Sequence, residues 1–148
     1  MTFSDLPSTL QRWQLPRFGL VHLQQVQAPM PRPAPQQILV RTEAVALNYR
    51  DLLVARDGMG MPLAFPFTPA SDLAGTVVAV GEGVTRWQPG DRVISTFWAG
   101  WLDGERPASA VPLGAPGPGM LASHVLLDVD WAVAAPATLN AAAASTLP

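Results

Sequence analysis

The 148-residue chain contains no cysteine. Disulfides, thiolate zinc, iron–sulfur clusters and a cysteine nucleophile are therefore excluded within it. Lysine is missing too: nine arginines stand against eleven acidic residues, for a formal net charge of −2. That balance leaves no basic footprint for nucleic acid or for an anionic membrane surface, and neither partner is expected. Charged residues make up only 14% of the chain against 49% hydrophobic ones, which excludes a strongly solvated, disordered polymer. No run of about 18 apolar residues occurs, so no membrane-spanning helix is expected. The start, Met1-Thr2-Phe3-Ser4-Asp5, lacks a basic stretch followed by an apolar one. No signal peptide is read there, and a cytoplasmic location is the expectation.

What the chain has in plenty is punctuation. Sixteen prolines and 12 glycines argue for short strands joined by turns rather than long helices. The length suits one domain with a real hydrophobic core. Residues 1–17 read as a loose lead-in and residues 18–148 as the domain. Strands are expected over 18–26, 37–47, 73–80, 92–96, 120–127 and 131–134. In the second of these, Ile38, Val40, Ala44 and Ala46 share one face while Arg41 and Glu43 share the other. Between the first two, Ala28 to Pro35 holds four prolines in eight residues and reads as an extended connector. Asn48 is placed to cap a short helix, Asp51 falls in its first turn, and Gly58 offers a stop. Gln88-Pro89-Gly90-Asp91 has the residues of a type II turn. Residues 99–119, without periodicity, read as a long surface loop. Asn140 caps a second helix that Pro148 cuts short, as if a longer parent protein continued. The result is a mainly β domain with about six to eight strands and one or two short helices.

No self-contained cofactor or metal site emerges from spacing. Gly114-Ala115-Pro116-Gly117-Pro118-Gly119 fits neither the dinucleotide nor the Walker pattern. His22 and His124 lack ligand partners at short spacing. Ser71, Ser123 and His124 sit in no nucleophile-elbow context.

Three segments are more specific. They are Leu47-Asn48-Tyr49-Arg50-Asp51-Leu52, the run from Pro69 to Val84 centred on Ser71-Asp72-Leu73-Ala74-Gly75, and Trp87-Gln88-Pro89-Gly90-Asp91-Arg92-Val93. With Gly119-Met120-Leu121-Ala122 and the ending Ala144-Ser145-Thr146-Leu147-Pro148, this order resembles the N-terminal catalytic domain of medium-chain dehydrogenases/reductases. It is most similar to the zinc-independent, quinone-oxidoreductase-like branch. The resemblance implies a GroES-like, partly open β-barrel. It also implies that the Rossmann domain holding NAD(P)H follows residue 148, and that the full-length protein is a homodimer. Zinc-dependent members carry a cysteine ligand at Asn48 and a histidine ligand at Ser71, so no zinc is expected here. The implied catalytic residues are Asn48, Tyr49 and Asp51, and the implied cofactor contacts are Asn48 and Ser71. In that reading an amide and a phenol serve hydride transfer to quinones, enones, carbonyls or alcohols. The alternatives are a non-catalytic barrel fragment that packs against a partner and an enoyl-reductase module of a larger synthase.

Overall fold

The computed structural model describes residues 6–148. Its centre is a five-stranded antiparallel sheet in the order β8–β3–β4–β5–β9. These strands are β3 (Gln37–Ala46), β4 (Asp72–Val80), β5 (Arg92–Ser95), β8 (His124–Asp128) and β9 (Ala132–Ala134). Two strand pairs flank the sheet, β1 (Thr9–Gln14) with β2 (Gln24–Pro29) and β6 (Trp98–Ala99) with β7 (Val111–Pro112). Two short helices complete the domain, α1 (Tyr49–Asp57) and α2 (Ala141–Ala144). No helix among the described residues is long and apolar enough to cross a membrane. The mainly β architecture agrees with the strand and turn content expected from the sequence.

The β3–β4 ladder sets the geometry. Val78 is one residue too many on β4, and Glu43 is one too many on β3. Each bulge flips the alternation beyond it. Val45 therefore packs toward the main core with Ile38 and Val40, where simple alternation places Ala44 and Ala46. Gly75 lies beside the second bulge because β3 runs too close for a side chain: a Cβ there falls 2.3 Å from the Arg41 carbonyl oxygen.

The main core gathers Leu73, Val77, Trp87, Val93, Leu113, Met120 and Leu127 between the sheet and the 98–120 excursion. The Trp87 indole is anchored by donating to the Val129 carbonyl at 2.9 Å. A second cluster lies under α1, where Val54 and Ala55 meet Leu15, Phe67 and Ala115.

Three expectations are corrected. Residues 9–14 of the lead-in form β1, paired along its length with β2; residues 1–5 of that lead-in lie outside the described residues. Both strands are glutamine-rich, so their alternation carries little hydrophobic contrast. The strand expected over 18–26 begins only at Gln24, because Leu20–His22 closes a 3-10 turn behind Gly19 (φ 104°). The loop expected over 99–119 is continuously exposed over 100–109, but Leu113, Gly114, Ala115 and Gly117 are buried. This return segment runs against residues 68–70: the Met120 and Leu121 amides donate to the Ala70 and Pro69 carbonyls. Gly119 is required there, since a Cβ falls 1.7 Å from the Thr68 oxygen.

Gly119→Ala is expected to lower the unfolding free energy by at least about 3 kcal/mol in urea titrations, because backbone must move to admit the methyl. Gly104→Ala, in open space at φ 59°, is expected to cost only about 1 kcal/mol through backbone strain.

Candidate active site

The corner after β3 is built by chain direction. Ala46 pairs with Asp72, so β3 ends where β4 begins. Asn48 leaves the sheet in extended geometry (φ −106°, ψ 155°) and α1 starts at the next residue. Asp51 reaches back one turn, and its Oδ2 accepts from the Asn48 backbone N–H at 2.8 Å. That bond satisfies one of the donors a helix N-terminus leaves free. Gly58 ends the helix in the left-handed region (φ 73°), as expected from its place in the sequence.

The Asn48 side chain turns across to the other strand. Its amide nitrogen donates to Asp72 Oδ2 at 2.6 Å. The Ser71 hydroxyl donates to Asp72 Oδ1 at 2.5 Å. Ser95 on β5 locks the strand start from below, donating to the Ser71 carbonyl at 2.9 Å and accepting from the Leu73 amide at 3.0 Å. Asp72 thus has both oxygens engaged, whereas Asp51 has one. Asp51 Oδ1 is buried and has no partner among the described residues.

Asp51 is only 8% exposed. Burial raises its pKa above the ordinary carboxylate value, and the neighbouring Asp72 charge raises it further; the Asn48 N–H and Arg50 oppose both. Arg50 is no ion-pair partner for Asp51. Its guanidinium donates to the Leu113 and Ala115 carbonyls and sits 5.4 Å over the Phe97 ring.

Asn48 and Asp51 share a cavity of about 190 Å³ whose wall is largely apolar, with Leu23, Leu47, Leu52 and Leu121 on it. Tyr49 stands outside this lining and is 74% exposed. Ser71 is 1% exposed, so its contribution is to hold Asp72 rather than to touch a ligand directly. Arg50 and Leu121 fall inside the specific sequence segments, whereas Ser95 sits in an ordinary strand and nothing in local spacing marks it.

The donor set does not fit a catalytic zinc ion, which takes three protein ligands with an open fourth position. Asn48 and Ser71 spend hydrogens on Asp72, and one carboxylate oxygen is left over.

A family comparison decides the lineage of this corner. The alcohol dehydrogenase GroES-like domain matches residues 34–137. The chain belongs to that family. A solved structure from Sinorhizobium meliloti 1021, designated an alcohol dehydrogenase, is 49% identical to this GroES-like domain. It superposes with a TM-score of 0.91, covering 97% of this chain and 43% of that one. A chloroplastic quinone-oxidoreductase of Triphysaria versicolor is 33% identical over 133 residues, 88% of this chain and 35% of that protein. A zinc-type alcohol dehydrogenase-like protein of Schizosaccharomyces pombe is 35% identical over 116 residues, 77% of this chain and 34% of that protein. The GroES-like domain thus spans about a third of the length of these curated relatives.

The raised pKa of Asp51 has a stability consequence. The native state holds this proton more firmly than the unfolded chain does, so ionisation penalises folding. The penalty is absent below the ordinary carboxylate range, near about pH 4, and complete once pH exceeds the raised value. Asp51→Asn keeps an acceptor for the Asn48 amide and removes the charge. Its stability relative to the unsubstituted chain is expected to increase as pH rises through that window and then level off. Paired urea titrations across the window check this; a difference that falls with pH contradicts the assignment.

Proposed function

We propose that this domain is the substrate-binding part of an NAD(P)H-dependent, zinc-independent oxidoreductase that reduces quinones, conjugated enones or activated carbonyls. The observation that carries the reading is the corner at Asn48. A half-used buried carboxylate and a fixed amide meet an apolar cavity, and the rim around them is apolar and bare. Leu47 is 72% exposed, and Leu20 and Leu52 are exposed beside it. An apolar rim around a polar centre is a surface made to be covered.

The residues divide the work as follows. Asp72 holds one hydrogen of the Asn48 amide, leaving its second hydrogen to orient a carbonyl substrate or a carboxamide. Asp51 fixes the Asn48 backbone and thereby the direction of that amide. Ser71 serves the cofactor contact indirectly, by locking Asp72. Tyr49, the single tyrosine of the chain, delivers a proton from its phenol to the substrate oxygen as negative charge develops there. Without a Lewis acid, such donors carry the stabilisation of that oxygen, which favours acceptors already activated by conjugation. A bound nicotinamide nucleotide supplies the hydride. The relatives' names, a quinone-oxidoreductase and alcohol dehydrogenases, support the same class of reaction, and their greater length supports a cofactor held mainly by sequence outside this domain.

In the full-length protein, Tyr49→Phe is expected to lower kcat for a quinone by at least about a hundredfold while leaving the KM for NADPH unchanged. Unchanged turnover removes Tyr49 from the chemistry. Elemental analysis of the purified full-length protein is expected to give less than about 0.1 zinc per chain, the donor set being what it is; a value near one overturns the metal-free reading.

A further inference from the structure

A second, larger cavity of about 360 Å³ lies between β1, β8 and the turns at 64–68 and 116–119. Asn48, Tyr49 and Asp51 take no part in its lining, and the chain from Thr68 to Ala70 separates it from them. Its polar content is cationic and donor-rich. Arg12 follows Leu10 on one face of β1, and Leu10 is buried, so both side chains are carried inward. Arg12 Nε is buried with no partner among the described residues. The ion pairs found there join Arg41 to Glu43, Arg56 to Asp57 and Arg86 to Asp130, and none reaches Arg12. A guanidinium hydrogen removed from water without an acceptor is unfavourable, and an acceptor brought by a ligand removes that penalty.

His124 supplies a second donor. Ser123 Oγ accepts from the Gln11 amide at 3.1 Å and lies 3.2 Å from His124 Nδ1. With the hydroxyl proton given to Nδ1, the ring proton resides on Nε2. Burial and the Arg41 charge hold the imidazole pKa below its ordinary value, which favours the neutral ring. Among the described residues no Asp or Glu lines the cavity, and its wall includes Leu10, Phe67, Leu126 and four prolines. Proline offers no N–H and little freedom, so the wall is stiff and apolar.

We propose that this cavity binds a small organic carboxylate with a ring-sized apolar body. The carboxylate lies on the Arg12 fork, assisted by His124 Nε2–H, and the body lies against Phe67 and the proline wall. A planar guanidinium matches a carboxylate in two parallel hydrogen bonds, and the preformed wall lowers the ordering required of the complex. A bare inorganic anion leaves the apolar wall unused. The site is independent of the oxidoreductase reading, since no residue of the Asn48 corner contributes to it.

Benzoate titrated into the isotope-labelled chain tests this. The Arg12 Nε–H and His124 ring signals are expected to shift saturably with a Kd of about 1 mM, as suits a ligand of so few atoms. Benzamide, with the same ring and no charge, is expected to bind at least tenfold more weakly. Arg12→Gln is expected to weaken benzoate at least tenfold. Equal affinity for benzamide and benzoate, unaltered benzoate binding by Arg12→Gln, or no saturable shift at Arg12 Nε–H by about 20 mM benzoate overturns the proposal. Should Arg12→Gln not fold, the benzamide comparison on the unsubstituted chain decides.

Discussion

The antiparallel pairing of β3 with β4 is the constraint on which the rest of the molecule depends. It carries two bulges, and they compensate. The extra residue at Val78 shifts the register one way and the extra residue at Glu43 shifts it back. Ala46 consequently faces Asp72, the partner that an unbroken ladder starting from Ile38 and Val80 would give it. A slip of one residue exchanges the faces of a strand. Here it would carry the Asp72 carboxylate away from the Asn48 amide and dissolve the corner.

That corner is held by hydrogen bonding between neighbouring side chains and backbone. Asp72 is saturated by Asn48 and Ser71, while Asp51 spends one oxygen on the start of α1 and keeps the other unused. Two buried acids side by side are electrostatically unfavourable. The surrounding amides and hydroxyls relieve Asp72 more completely than Asp51. Helix, strand end and cavity are thus held by one short network, so a change at any member is transmitted to the direction of the Asn48 amide.

Much of this was legible in the sequence where chemistry and local geometry agree. Asn48, Asp51 and Gly58 mark the limits of α1 through capping alone, and Pro89-Gly90 marks its turn, with Gly90 at φ 102°. The hydrophobic runs of β3 and β4 stand out because both faces of that sheet are covered. Strand β1 did not stand out, since its inward face mixes Leu10 with Arg12 and Gln14. The 111–120 return was illegible for another reason. Its glycines signal flexibility in isolation, yet Gly114 and Gly119 are there because the backbone of residues 68–71 lies against them. The role of Ser95 depends on a neighbour 24 residues away, and no local pattern carries such information.

The excursion between β6 and β7 behaves differently from its anchors. Its base is fastened by the Trp98–Pro112 and Ala99–Val111 pairing, and by the hold of Arg50 on the carbonyls just beyond. Residues 101–109 project past that base into solvent. Within this stretch the Arg106 guanidinium stacks on Trp98 and the Trp101 indole donates to the Gly104 carbonyl, and closing a longer loop adds little entropy. Chain added at this projection lengthens the exposed excursion and leaves the sheet and the Asn48 corner undisturbed.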